Sequence, residues 1–214
     1  MYRFRASACC TFVVVLALLA GRAAQARAGD SDVLVVGDSL AVGTQPYLPD
    51  LLADRNLVSD VRGGITTPQG MRLLRMALRR VAPKTVVFSL GTNDGPDPQR
   101  FADRLRRTLA LLSPSTCVVW STIIRPPRKG DYRRLNRVLH SLKKRDPRLV
   151  LVDWEHAVTG GDVVLPDGLH ADPDGYRYRS AMIADAVHGG CAAAPGPGLP
   201  AAAAAAGPTA ARGY

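Results

Sequence analysis

The sequence predicts an α/β protein whose parallel sheet is covered on both faces. Two observations carry this. Short continuous apolar runs recur along the chain, as in strands buried on both sides. Between them, apolar residues recur every three or four positions, the period of an amphipathic helix. The chain has 214 residues and is 47% hydrophobic. That suits one domain with appendages and excludes a disordered or collagen-like chain.

The N-terminal segment reads as separate from the fold. Arg3 and Arg5 precede the apolar run TFVVVLALLA, and AAQA (23–26) and ARA (26–28) offer small-residue cleavage sites. Residues 1–26 are therefore expected to be a secretory signal peptide. The uncharged run 6–21 is shorter than the ~20 residues a membrane span needs. No arginine pair precedes it and no cysteine follows it, so neither a twin-arginine route nor a lipoprotein anchor is expected. The mature protein is then secreted or held in the cell envelope or periplasm.

DVLVVG (32–37) is the first buried strand, and LVSDV (57–61) a more polar, edge-like one. In residues 67–82, Met71, Leu74, Ala77, Leu78 and Val81 form one helical stripe opposite arginines. TVVFSL (85–90) is the third strand. Phe101, Leu105, Thr108, Leu109 and Leu112 mark the next helix. TCVVWSTII (116–124) is the fourth strand, and Tyr132, Leu135, Leu139 and Leu142 mark the helix after it. LVLVDW (149–154) is the fifth. A last helix starts near Asp172, with Pro173 at its first position and Tyr176, Ser180, Ile183 and Val187 on one side. The domain is expected to span residues 27–190. Residues 191–214, rich in Ala, Pro and Gly, cannot bury enough apolar surface to offset ordering and read as a disordered tail.

Removal of the leader would leave Cys117 and Cys191, an even pair in an exported chain, and a disulfide between them is expected. The net charge is +10, with basic residues crowded from Arg125 to Arg148. The plain reading of that stretch is a solvated helix face with its loops. The sharper one is attraction to an anionic envelope polymer or lipid surface. Nucleic acid is not expected, because no aromatic residues interleave the charges as a stacking platform.

Ligands of such sheets sit at the carboxyl ends of the strands, so the segments that follow strands matter most. They are GDSL (37–40), VRGGITT (61–67), GTND (91–94) and, past the fifth strand, LPDGLHADPDGY (165–176). Ser39 is a hydroxyl that needs a base, and His170 can be that base. Asp167, three residues earlier, can reach the imidazole and fix its tautomer. A tetrahedral oxyanion needs donors: the Ser39 amide at a helix start, a glycine amide at Gly64 or Gly63, and the Asn93 side chain. His140, His156 and His188 read as surface or structural, and Asp94, Asp153 and Asp162 receive no role. No Cys/His set has zinc spacing, and no Walker lysine or GxGxxG follows the first strand. Neither metal nor organic cofactor is expected.

The four segments, in this order and spacing across residues 32–187, resemble the blocks of the SGNH hydrolases, also called GDSL esterases and lipases. The resemblance implies a flavodoxin-like three-layer α/β/α sandwich with a roughly five-stranded parallel sheet. It implies Ser39 as nucleophile, Asp167 and His170 as its partners, and Gly64 and Asn93 beside the Ser39 amide as oxyanion donors. The activity implied is that of a secreted serine esterase acting on a small-molecule or polysaccharide ester through an acyl-serine. The glycine pair of the second block, and LVLVDW before the last, are also similar to SGNH domains attached to envelope O-acetyltransferases. An envelope polysaccharide O-acyltransferase is therefore the alternative, and a non-catalytic envelope-binding module on the same scaffold is a third. The helices lack inserts long enough for a lid, which favours small acyl groups or accessible esters.

Overall fold

The structure is a computed structural model that describes residues 32–191. The expected leader and the tail beyond Cys191 lie outside the described residues. Five strands, β1 (Val33–Gly37), β2 (Leu57–Val61), β3 (Thr85–Ser89), β4 (Cys117–Ser121) and β5 (Leu149–Val152), form one sheet in the order β2-β1-β3-β4-β5. Every neighbouring pair is parallel. This is the flavodoxin-like order, and it reverses direction between β1 and β3. The loops leaving those two strands diverge and open a crevice at their carboxyl ends.

The strand period of two sorts the core into two layers. Leu34, Val36, Val86, Phe88, Val118 and Trp120 face one side, where they meet Leu74, Leu105 and Leu139. Those three belong to α3 (Thr67–Ala77), α4 (Pro98–Leu109) and α5 (Arg133–Lys143). Val33, Val35, Val87 and Val119 face the other side, against Ala41, Leu48 and Ile183. These come from α1 (Ser39–Thr44), α2 (Leu48–Leu51) and α7 (Pro173–Asp185). β2, at one edge of the sheet, is half-buried along its whole length, as its Ser59 and Asp60 require.

The ends of two strands differ from the sequence reading. β4 ends at Ser121 rather than at 124, because the Asn136 side chain replaces a neighbouring strand. Its Oδ1 accepts the Ile123 amide and its Nδ2 donates to the Ile123 carbonyl, both at 2.8 Å. β5 ends at Val152, because Asp153 caps a short helix α6 (Trp154–Thr159), accepting the His156 amide at 3.1 Å. Trp154 starts that helix fully buried. Helices α2 and α6 are too short to show a period in the sequence.

The last helix begins as expected. Asp172 accepts the Gly175 amide at 2.8 Å and Pro173 stands at the first position. A turn of wider pitch continues it through Gly190 to Cys191. There the Cys191 sulfur is bonded to that of Cys117, at the start of β4. Helix α1 lies close on α7. A Cβ at Gly43 would sit 2.2 Å from the Tyr176 ring, so only glycine permits this approach. Among the described residues no helix is long and apolar enough to cross a membrane.

Candidate active site

Four of the strand-ending segments meet at one rim. The apolar β1 stops at Gly37. Asp38 then caps α1 by accepting the Leu40 amide at 3.0 Å, which leaves Ser39 as the first helical residue, half-buried. Ser39 Oγ lies 2.9 Å from His170 Nε2, across 131 residues of sequence. His170 Nδ1 lies 2.8 Å from Asp167 Oδ2. The other carboxylate oxygen of Asp167 accepts the amides of His170 (2.7 Å) and Leu169 (2.9 Å). This tight turn needs Gly168 at φ 75°, in the left-handed region. The His170 amide, its ring and the Leu169 amide together hold the Asp167 carboxyl well below the usual carboxylate range. Asp167 is thus an ionised acceptor that fixes the imidazole, with Nε2 turned to Ser39.

The residues expected as oxyanion donors are Asn93, the Gly63–Gly64 pair and the Ser39 amide. Asn93 Nδ2 donates to the Ile65 carbonyl at 3.1 Å and lies 3.5 Å from Asp38 Oδ2. Gly63 and Gly64 are both exposed, a Cβ on either would meet nothing, and Gly64 has φ 73°. Among the described residues neither of their amides has an acceptor. Helix α1 is only six residues long, so its N-terminus carries a local N–H donor at Ser39 more than the end of a long dipole. Among the described residues no group of three His, Cys, Asp or Glu side chains is placed to hold a metal ion. Beside the His170 turn, Ile124, Pro126, Tyr132, Val163, Leu165 and Gly168 help line a largely apolar cavity of about 810 Å³.

Residues 35–178 match the GDSL-like lipase/acylhydrolase family. The chain belongs to that family. It is similar to the arylesterase of Vibrio mimicus, 27% identical over 173 residues, covering 71% of this chain and 86% of that one. It is also similar to the protein named "Putative peptidoglycan O-acetyltransferase YrhL" of Bacillus subtilis (strain 168), 26% identical over 158 residues. That match covers 73% of this chain but only 24% of the longer relative. The crystal structure of the lipase/acylhydrolase from Enterococcus faecalis shares the fold, with a TM-score of 0.62 at 19% identity over 74% of this chain and 96% of that one. The protein is thus an ester hydrolase of the GDSL, or SGNH, type.

Sequence reading missed what supports this GDSL site. Arg125, read as the start of an exposed basic stretch, is 2% exposed. Its Nη1 donates to the carbonyls of Gly91 (3.3 Å), Thr92 (3.1 Å) and Asp94 (2.5 Å), so the Asn93 loop is wrapped around its guanidinium. Lys129, on a 3-10 turn (Pro127–Lys129) after β4, donates to Asn93 Oδ1 at 3.0 Å. That bond fixes which end of the Asn93 amide faces inward. Asp94 is buried, accepts the Thr67 amide at 2.9 Å and pairs with Arg104 at 3.3 Å. Asp38 is buried as well, and desolvation pushes its carboxyl up to about 6 despite the Leu40 amide and the nearby Arg179. Burial likewise lowers Arg179, to about 10. Its guanidinium donates to Ser89 Oγ at 3.1 Å and lies 4.5 Å from the Trp154 ring centroid. The usable sequence signal was placement: Arg125 and Lys129 follow the fourth strand, on the same rim as the motifs.

Proposed function

We propose that the protein is a secreted serine esterase that hydrolyses carboxylic O-acyl esters through an acyl-serine. The observation that carries this is the continuous line from Ser39 Oγ through His170 to Asp167, with both links under 3 Å. In this mechanism Ser39 Oγ attacks the acyl carbon while its proton passes to His170 Nε2. Asp167 stays ionised and stabilises the imidazolium. The oxyanion is held by the Ser39 amide, by Asn93 Nδ2 and by an amide of the glycine pair, for which Gly64 is the stronger candidate. Collapse of the tetrahedral species expels the alcohol, which takes the proton from Nε2. Water then repeats the sequence on the acyl-serine, releasing the acid and restoring the Ser39 hydroxyl. The apolar cavity beside Gly168 gives room for the acyl or alcohol part. Residues 27–190 would constitute the exported catalytic domain, freed by cleavage after residue 26.

The test joins two measurements on secreted protein. The mature N-terminus, read by intact mass, should fall at Arg27 or Gly29. A fluorophosphonate probe should label Ser39 and abolish turnover of p-nitrophenyl acetate. Labelling elsewhere, or turnover that survives complete labelling, overturns the acyl-serine route.

A second reading is envelope O-acyl transfer, in which a sugar hydroxyl replaces water. The similarity to the Bacillus subtilis protein named for peptidoglycan O-acetylation favours it. An acetylated glycan product that rises with glycan concentration, at the expense of free acetate, would mark the transferase.

A further inference from the structure

The two helical layers carry very different charge. Helix α3 contains Arg72 and Arg75, α5 contains Arg133, Arg134, Arg137 and Lys143, and neither helix has a single acidic residue. Lys144 and Arg145 extend α5. Of this set Arg134 is paired, with Asp131. Arg137, Lys143, Lys144 and Arg145 are exposed and have no ion-pair partner among the described residues. On the opposite layer the exposed Arg177 is paired with Asp174 and stacked on Tyr47.

Like charges one helical turn apart, as at Arg133 and Arg137, disfavour the helix unless an anion neutralises them. Between α4 and α5 the surface dips into a groove of about 420 Å³. Ala102, Val138 and Leu142 help form its floor, and Arg106, Arg137 and Arg145 its walls; Arg106 is paired with Asp103, so Arg137 and Arg145 supply the open guanidinium groups. It runs along both helices, and its Pro98 and Arg134 end opens on the rim that holds Asn93. We infer that this groove binds an acidic polysaccharide, with carboxylates along the chain paired to the guanidinium walls.

The shape and the side chains select this occupant. A bilayer surface needs exposed apolar anchors, but Val42, Leu51 and Tyr178 lie on the other layer, Val164 lines the cavity beside Gly168, and Met76 stands on α3 away from the groove. Single-stranded nucleic acid stacks its bases on exposed aromatic platforms, but Phe101 and Tyr132, the aromatic residues of this region, are buried. A linear glycan fits a narrow cleft, and its run toward the rim would deliver an ester-bearing sugar to Ser39. That delivery rests on the esterase reading; binding in the groove does not.

Polygalacturonate is the probe, with binding measured by calorimetry on the full exported protein. R137E/R145E should weaken binding by about tenfold or more at low salt, while kcat on p-nitrophenyl acetate stays within about twofold. The charge-neutral pair R137Q/R145Q should show the same direction if the reversal perturbs folding. R55E/R177E, an equal charge change on the opposite layer, should leave binding within about twofold. Equal losses from both faces would mean attraction by net charge alone and overturn the groove. So would absence of binding by the wild type. Tighter groove-dependent binding to phosphatidylglycerol vesicles or to single-stranded DNA would overturn the choice of occupant. Loss of esterase activity with polygalacturonate binding intact would count against the catalytic reading only.

Discussion

The two halves of the candidate site are built on opposite plans. The acid–base half closes within one exposed turn, where Asp167, Leu169 and His170 are joined by bonds that span three residues or fewer. The expected oxyanion half is assembled from three segments far apart in sequence. Asn93 meets Ile65 and Lys129, Asp94 meets Thr67, and Arg125 gathers the carbonyls of the whole loop. The first half is exposed at Asp167, whereas the second rests on the buried Thr67, Asp94 and Arg125.

Substitutions should separate the two. The largest effect is expected at Ser39, where Ser39→Ala should lower kcat by about 10⁴-fold or more with an unchanged melting temperature. A mutant that retains most of its turnover would remove Ser39 from the chemistry. Next, Asn93→Ala should lower kcat by about 10²–10³-fold with KM within a few-fold, since its donor matters most when the oxygen carries charge. Near wild-type kcat on every ester cleaved would reduce Asn93 to a loop residue.

Arg125→Met should cost about 3 kcal/mol of stability by stranding buried carbonyls, while Arg128→Met, on the exposed side of the same loop, should be nearly neutral. Urea unfolding of the pair decides this. Equal stabilities would mean that the guanidinium does not hold the Asn93 loop.

A pH titration sharpens the contrast further. Asp167 has a depressed folded pKa, so its contribution is present above about pH 4 and is lost only as pH falls below it. Asp38 runs the other way. Its folded pKa, raised to about 6, makes the folded state bind the proton more tightly than the unfolded chain, whose value lies near 3.8. Stability should therefore fall as pH rises from about 4 to 6, by about 2–3 kcal/mol, and level off above. Asp38→Asn should flatten that window; an unaltered slope would assign it to other groups. The smallest effect is expected at Lys129. Lys129→Met should lower kcat by about three- to tenfold through looser placement of the Asn93 amide, and Lys129→Arg should restore part of it. A change confined to KM would place the ammonium on the substrate instead.

This division also governs what the sequence made legible. The candidates Ser39 and Asn93 were readable because each follows a strand within a short motif, and Asp167 and His170, beyond α6, because their spacing fits a single turn. The strands and longer helices were equally plain, since their periods repeat several times. Arg125 and Lys129 were not. Their partners in the Asn93 loop lie more than thirty residues away, and in a strongly basic chain nothing local separates a buried arginine from its exposed neighbours. The early end of β4 was hidden for the same reason, because Asn136 replaces a strand from the next helix.

The bond between Cys117 and Cys191 has a mechanical consequence. It joins the last described residue to the first residue of β4, a strand hydrogen-bonded on both sides. Tension on whatever follows Cys191 would otherwise unzip α7 from its end and loosen the layer under Ser39. With the bond closed, the pull enters the sheet at β4, at the end away from the catalytic rim, as a shear across β3 and β5. Many hydrogen bonds then resist together, and α7 carries none of the load. The bond thus works as a strain relief between the domain and its C-terminal extension.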